Sequence, residues 1–138
     1  MGGQLIRDIL NRGKYKLKNI NRLILQPNVA AHHIRKWACE NGWALICEEI
    51  LKEDGKIYEI LVLEKKDIHS LPVLEQIDIM FGPFLRKEKS DIFLEKWQRE
   101  HKKLVKVRAD IQNAPKTAEN LCRLEEIEKE IQHVEEVL

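Results

Sequence analysis

Two apolar runs joined by a short polar turn constrain the fold of this chain most. Residues 43–52 and 56–64 are rich in Ile, Leu, Val and Tyr, and Glu53-Asp54-Gly55 separates them. An Asp-Gly pair readily takes the positive φ angles that a tight hairpin turn needs. The pattern predicts an antiparallel β-hairpin, which needs a larger sheet or helices to bury its faces.

The residues before the hairpin predict a helix, a strand and a second helix. Residues 4–12 place apolar side chains on one helical stripe, and Gly13 follows as a stop signal. Residues 22–26 form a short apolar run closed by Pro27, which is typical of a parallel strand buried on both faces. Residues 29–41 have a helical pattern. The order helix, strand, helix, hairpin predicts the back half of an α/β sheet.

One parallel strand and one hairpin cannot complete an α/β sheet with two buried faces, so further strands are expected upstream. The chain starts with Met1-Gly2-Gly3, directly before the first predicted helix. We read these residues as an internal turn. The sequence is therefore expected to be the carboxyl-terminal half of a larger α/β protein.

The last third of the chain has a helical period. After a connector at 67–89 that contains Phe81-Gly82-Pro83-Phe84, apolar residues recur at threes, fours and sevens on both sides of Asn113-Ala114-Pro115. They are Phe93, Trp97, Leu104, Val107 and Ile111, then Leu121, Leu124, Ile127, Ile131, Val134 and Leu138. Residues 90–138 are expected to form an antiparallel helical coiled-coil hairpin.

Charge is distributed unevenly although the net charge is only +1. Charged residues make up 34% of the chain, more than the roughly 25% of an average domain, which is typical of long solvated helices. Residues 86–108 carry a local excess of Lys and Arg, whereas residues 119–138 carry an excess of Asp and Glu. The basic stretch is a candidate for tracking phosphates, and a solvated helix face is the alternative.

Several classes of protein are disfavoured. The three cysteines have no metal-binding spacing and an odd count, which argues against a zinc site and a disulfide framework and fits a reducing cytoplasm. No apolar run approaches the ~20 residues that a membrane span needs. We therefore expect a cytoplasmic protein without a metal or a membrane partner.

Four motifs in order resemble one known family. They are Met1-Gly2-Gly3-Gln4-Leu5-Ile6, Arg22-Leu23-Ile24-Leu25-Gln26-Pro27-Asn28, Gly55-Lys56-Ile57-Tyr58-Glu59-Ile60 and Phe81-Gly82-Pro83-Phe84-Leu85. Together they are similar to the bacterial tRNA (adenine-22) N1-methyltransferase family over essentially the whole chain. The resemblance implies a class I, Rossmann-like methyltransferase that uses S-adenosyl-L-methionine and tRNA. Residues 1–66 would be the carboxyl-terminal half of the methyltransferase domain, without its first four strands and donor-binding loop, and inactive alone.

The candidate site residues fall into three groups. The candidate catalytic residues are Gln26, Pro27 and Asn28. They follow the carboxyl end of the predicted parallel strand, where open α/β sheets place their ligands, and amides suit the orientation of a base. Capping of the next helix is the alternative for Pro27 and Asn28. The resemblance assigns Met1, Gly2 and Gly3 to the cofactor. The candidate RNA-binding residues are Lys96, Arg99, Lys102, Lys103, Lys106 and Arg108.

Other polar and aromatic residues have more ordinary interpretations. His32 and His33 are adjacent and have no ligand partner at metal spacing, so we expect solvated helix residues. Trp37, Trp43 and Tyr58 are expected in the core rather than stacked on a base.

Two alternatives to a catalytic role stay open. The coiled-coil hairpin would support a non-catalytic module that binds RNA or a protein. Two copies would also self-associate through the exposed sheet edge that missing strands leave.

Overall fold

The computed structural model describes all residues, 1–138, and divides into two compact units, Met1–Ile92 and Phe93–Leu138. The first unit contains α1 (Gly3–Arg12), a 3-10 helix (Lys14–Asn19), β1 (Arg22–Leu25), α2 (His32–Asn41), β2 (Trp43–Glu53), β3 (Lys56–Lys65), a 3-10 turn (Ile68–Ser70), α3 (Gln76–Phe81) and α4 (Pro83–Glu88). Helix α5 (Asp91–Gln112) begins in the last residues of the first unit, and α6 (Ala118–Val137) follows it. The predicted helix, strand, helix and hairpin are confirmed, with ends shifted by a few residues.

The sheet has three strands in the order β1-β3-β2, and both ladders are antiparallel. The turn at Asp54 and Gly55, with φ angles of 51° and 76°, sends β3 back between β2 and β1. The parallel pairing expected for β1 involves further strands upstream and stays a prediction, whereas every strand pair within this chain is antiparallel. Strands β1 and β2 run in the same direction, but β3 lies between them and pairs with both.

Strand β1 is not buried on both faces, contrary to the interpretation of its apolar run. Leu23 and Leu25 are half-buried and pair with Leu63 and Leu61, whereas Ile24 is 67% exposed. Because side chains alternate along a strand, only the face that carries Leu23 and Leu25 meets the core. The other face of β1 is open in this structure.

The core of the first unit lies between the sheet and the helices α1 and α2. Ile6 and Leu10 of α1 pack with Ile34 and Trp37 of α2, and with Leu61 and Leu63 of β3. Leu5 and Ile9, on the same predicted helical stripe, are 52% and 47% exposed. Only half of the apolar stripe of α1 is therefore covered.

A buried ionic cluster attaches α3 and α4 to the sheet. Arg35 of α2 lies between Glu48 of β2 and Glu59 of β3, and all three side chains are almost inaccessible to solvent. Arg35 also donates to the carbonyl oxygen of Ile79 in α3, 3.1 Å away, and Phe84 donates its backbone N–H to Glu48 over 3.1 Å. The predicted connector is thereby held by specific hydrogen bonds.

The second unit consists of most of α5 and all of α6. Buried side chains on α6 are Ile131, Val134 and Val137, and Leu104 is buried on α5. The ring of His101 on α5 lies 3.0 Å from the carboxylate of Glu135 on α6. Thr117 caps α6 by accepting a hydrogen bond from the backbone N–H of Asn120. No helix in the chain combines the length and apolar character needed to cross a bilayer.

Candidate functional site

The structure brings the predicted cofactor segment and the predicted catalytic segment together. The backbone N–H of Gly3 donates to the carbonyl oxygen of Val29 over 2.8 Å, and the N–H of Asn28 donates to the carbonyl oxygen of Met1 over 3.1 Å. The two segments lie far apart in sequence, yet they form one surface at the carboxyl end of β1. Open α/β sheets place their ligands at such an end.

The approach of the two segments requires a glycine at position 3. A Cβ atom on Gly3 would lie 2.0 Å from the carbonyl oxygen of Ala30, a distance that no side chain tolerates. Ala30 itself has a φ of 55°, which is uncommon for a residue with a side chain. Backbone strain of this kind costs on the order of 1–3 kcal/mol and concentrates at functional sites.

The polar side chains of this surface are accessible. Gln26 and Asn28 are exposed, whereas Pro27 between them is fully buried and fixes the direction of the chain. A Cβ atom on Gly2 would lie 4.0 Å from Oδ1 of Asn28. The bare backbone of Gly2 therefore lies next to an exposed amide. We call Met1–Gly3 together with Gln26–Asn28 the strand-end site.

Arg7 and His33 connect the two helices that begin beside the strand-end site. Nη1 of Arg7 lies 3.0 Å from Nδ1 of His33. A guanidinium can only donate, so Nδ1 accepts and carries no proton. Burial, followed by the charge of Arg7, lowers the pKa of His33. This histidine is thus a neutral link between α1 and α2, with a more specific contact than the expected solvated position.

The candidate RNA-binding residues do not all lie on one face of α5. Helical geometry places five of them within one third of the helix circumference. They are Lys96, Arg99, Lys102, Lys103 and Lys106. We call these residues the α5 basic face. Arg108 lies on another side and is half-buried, whereas Arg99, Lys102, Lys103 and Lys106 are exposed.

The aromatic candidates in the first unit have structural contacts. Trp37 is 2% exposed and donates its indole N–H to Oδ1 of Asn11 over 2.8 Å. Its ring stacks on Trp43 at a centroid distance of 6.2 Å. Both tryptophans belong to the core, as predicted. The structure brings no group of three or more His, Cys, Asp or Glu side chains together for a metal ion.

Sequence reasoning overlooked a groove beside the 3-10 helix. Lys14, Tyr15, Lys18 and Lys65 line this groove of about 580 Å³, and Trp43 forms part of its wall. The alternation of lysines across 14–18 is the sequence signal for this groove, but it matches neither a helical nor a strand period of apolar residues.

Comparisons with known proteins agree with the resemblance of the motifs. The model of the tRNA (adenine(22)-N(1))-methyltransferase family matches residues 1–136. The tRNA (adenine(22)-N(1))-methyltransferase of Bacillus subtilis is 42% identical over 140 residues, covering 100% of this chain and 59% of the relative. The chain thus spans less than two thirds of that protein's length.

Solved structures match the fold closely. The crystal structure of the B. subtilis m1A22 tRNA methyltransferase matches with a TM-score of 0.89 and 42% identity, over 99% of this chain and 59% of its own. A Streptococcus agalactiae protein of the NADB-Rossmann superfamily matches with a TM-score of 0.86 and 37% identity. The match covers 100% of this chain and 56% of that protein. A Streptococcus pneumoniae protein in complex with S-adenosyl-L-methionine matches with a TM-score of 0.83 and 40% identity. The match covers 100% of this chain and 56% of that protein. The fold is that of Rossmann-superfamily proteins.

Proposed function

Because this chain belongs to the tRNA (adenine(22)-N(1))-methyltransferase family, we propose that it serves methyl transfer from S-adenosyl-L-methionine to N1 of adenine 22 in tRNA. The observation that carries the proposal is the pair of backbone hydrogen bonds between Met1–Gly3 and Asn28–Val29. They join a segment assigned to the methyl donor to a segment assigned to the acceptor base. A reaction between two ligands requires their sites to be adjacent in this way.

The strand-end site suits one edge of the donor. Gly2 presents backbone without a side chain, and the exposed amide of Asn28 lies beside it. Met1–Gly3 would hold the donor from this side. S-adenosyl-L-methionine, when bound, supplies a methyl group activated by a positively charged sulfur. The S. pneumoniae structure in complex with this molecule supports the assignment by similarity.

Gln26 and Asn28 would orient the adenine. An amide side chain can accept a hydrogen bond from N6 and donate one to N7 of adenine, which leaves N1 free. Neutral adenine carries a lone pair and no proton at N1, so no base has to act before transfer. Positive charge develops on the ring as the bond to carbon forms, and neutral amide oxygens nearby stabilise it. Catalysis on this chain would consist mainly of orientation and proximity.

The helical part would hold the tRNA. We propose that residues 1–66 belong to the methyltransferase domain, that residues 67–89 connect it, and that residues 90–138 form an antiparallel coiled-coil hairpin. Four of the five residues of the α5 basic face are exposed, and such a surface suits a phosphate backbone. The contact between His101 and Glu135 supports the pairing of the two helices.

A second candidate function follows from the same basic face. A hairpin that binds tRNA without catalysis would need the α5 basic face and no strand-end site. Family membership favours the enzyme, and activity distinguishes the two.

The cytoplasm, where tRNA and reduced thiols occur, is the proposed compartment, and all three cysteines are free. Self-association through the unpaired edge of β1, which lies at one side of the sheet, would appear as a dimer in light scattering.

A chimera tests the proposed function. This chain replaces the matching residues of the B. subtilis relative, and the product is assayed with labelled S-adenosyl-L-methionine and a tRNA transcript. Methylation of the transcript, and none when adenine 22 is replaced by guanine, is the expected result. Asn28→Ala in the chimera should reduce kcat by about 10-fold or more, because orientation is lost. A folded chimera that binds donor and tRNA but transfers no methyl group would refute the proposal.

A further inference from the structure

The strongest concentration of positive charge in the first unit lies outside the strand-end site. Residues 12–18 carry Arg12, Lys14, Lys16 and Lys18, and no Asp or Glu occurs between Ile9 and Cys39. The three lysines are exposed on the 3-10 helix. Since the whole chain has a net charge of only +1, this local excess creates a positive patch on a nearly neutral protein.

This patch borders the groove of about 580 Å³, and the groove is held in shape. Nζ of Lys65 donates to the carbonyl oxygens of Leu17 and Lys18 over 2.6 and 3.0 Å, which ties the 3-10 helix to the end of β3. The same ammonium lies 5.3 Å from the ring centroid of Trp43. A ligand would therefore meet a preformed surface.

The groove combines ammonium groups with an accessible aromatic ring. Tyr15 is 74% exposed, and Nζ of Lys16 lies 5.8 Å from its ring centroid. Ammonium groups bind phosphates, and an exposed aromatic ring stacks on a base. The neighbouring acidic residue, Glu64, is already held by Arg22 at 2.5 Å. Phosphate and base together describe a nucleic acid better than an acidic peptide or a lipid surface.

The groove and the strand-end site lie at opposite ends of β1. Lys65 donates its backbone N–H to the carbonyl oxygen of Asn21, before the strand begins, whereas Gln26 follows its carboxyl end. A strand of this length separates the two by roughly 13 Å at about 3.3 Å per residue. One nucleotide cannot occupy both places, but a folded RNA can.

We infer that Lys14, Lys18 and Tyr15 in the groove, with Lys16 beside the ring of Tyr15, form a separate contact for the sugar–phosphate backbone and one base of the RNA substrate. We call this the lysine groove. The inference rests on the proposed function, because it assumes that the substrate is RNA. It adds a binding surface on the first unit to the α5 basic face.

Binding of the 138-residue chain to a tRNA transcript, measured by filter binding across a potassium chloride series, tests the inference. The slope of log K against log salt is negative, and each lost phosphate contact should reduce its magnitude by about 0.7–0.9. The variant K14A/K16A/K18A should therefore reduce the magnitude of the slope by about 2.1–2.7. The control K56A/K116A/K129A removes the same charge from exposed positions elsewhere and should change it by less than half as much. Tyr15→Ala should weaken binding about 5-fold without changing the slope.

The outcomes separate the two proposals. If the triple variant binds tRNA like the wild type while K102A/K106A loses affinity, the lysine groove is refuted and the proposed function stands. If the wild-type chain binds no tRNA at any salt concentration, both tRNA contacts are refuted. If heparin binding falls equally and Tyr15→Ala has no effect, the groove is a general anion contact, not an RNA site. Circular dichroism establishes that each variant is folded.

Discussion

Nη2 of Arg35 on α2 lies 2.7 Å from the carboxylate of Glu48 on β2, and neither side chain is accessible to solvent. Nε of Arg35 donates to the same oxygen over 2.7 Å, and Glu59 lies 3.5 Å from Nη2. One buried cation thus faces two carboxylates. Arg35 also reaches the carbonyl oxygen of Ile79, so this ion pair fastens α3 to the sheet.

Replacement of Arg35 should destabilise the first unit strongly. Arg35→Met leaves two carboxylates buried without their cation, and removing one partner of a buried pair costs about 3–5 kcal/mol. Arg22→Met, which breaks the surface pair with Glu64, should cost much less, because solvent screens exposed ion pairs. Urea unfolding followed by circular dichroism measures both free energies. Equal losses in the two variants would show that the buried pair contributes no special stability.

Gly82 should tolerate no side chain, because it packs against this ion pair. Its φ is 86°, and an added Cβ would lie 2.6 Å from Oε1 of Glu48 and 2.7 Å from Nη2 of Arg35. Gly55 is the matched control, with a φ of 76° and no atom within 4 Å of an added Cβ. Gly55→Ala should cost about 1–2 kcal/mol through backbone strain alone.

Gly82→Ala should cost about 3 kcal/mol more than that control, as expected for disruption of a buried ion pair. The difference between the two free energies of unfolding reports the clash with the ion pair together with the added backbone strain at Gly82, whose ψ of 124° lies outside the left-handed helical region. Similar values for both variants would mean that the ion pair shifts aside without loss.

Glu48 and Glu64 should affect the pH dependence of stability in opposite directions. Burial raises the pKa of Glu48 above 4.5, although Arg35 opposes the shift. Its contribution is therefore fully present below the unfolded pKa and is lost as pH rises through the folded value. The hydrogen bond from Arg22 lowers the pKa of Glu64 below 4.5, so its contribution is present above 4.5 and lost as pH falls.

Free energies of unfolding, measured at pH values below and above 4.5, test the two opposite pH dependences. The measurement compares the wild type with Glu48→Gln and Glu64→Gln. The wild type should lose stability relative to Glu48→Gln as pH rises above 4.5, the ordinary pKa of a glutamate, from which burial raises the pKa of Glu48. It should lose stability relative to Glu64→Gln as pH falls below the same value, from which the pKa of Glu64 is lowered. Parallel pH profiles for all three proteins would contradict both assignments.

The sequence was informative where structure is local. The helices and the hairpin were predicted because apolar periodicity and the Asp54-Gly55 turn are contained in short windows. The position of β3 between β1 and β2 was not predicted, because the pairing of β1 depends on a segment that lies far along the sequence. The buried Glu48 and Glu59 gave no warning, since a carboxylate in a strand is normally read as solvent-facing.

The candidate site shows the same division. The family resemblance indicated Met1–Gly3 and the predicted strand end indicated Gln26–Asn28, but neither pattern specifies the hydrogen bond between Gly3 and Val29. The lysine groove was missed for a related reason. Its wall includes Lys65 and Trp43, and only the return of β3 brings them beside Lys14 and Lys18.

Cys39 should react more slowly than the other two cysteines. Burial, followed by the nearby charge of Glu40, raises the pKa of the Cys39 thiol above 9.0, and this side chain lines an apolar cavity of about 190 Å³. Cys47 and Cys122 are exposed. Because the thiolate is the nucleophile, both effects slow alkylation. Mass spectrometry of the chain treated with iodoacetamide should show Cys39 labelled last, and equal labelling rates in urea are the control.

The α5 basic face should dominate the salt dependence of tRNA binding by the second unit. Lys102 and Lys106 are exposed one turn apart on that face, whereas Arg108 is half-buried on another side of the helix. The variant K102A/K106A should reduce the magnitude of the slope of log K against log salt by about 1.5, because each of the two lost phosphate contacts accounts for about 0.7–0.9. Arg108→Ala should change the slope by less than about 0.5, since one contact at most is lost.

A matched charge control completes this test. The variant K116A/K129A also removes two exposed lysines from the second unit, but from outside the α5 basic face. If binding depends on phosphates that lie along one face of α5, this control keeps nearly the full salt slope of the wild type. An equal reduction by both double variants would show that tRNA responds only to overall charge, and the α5 basic face would then have no specific role.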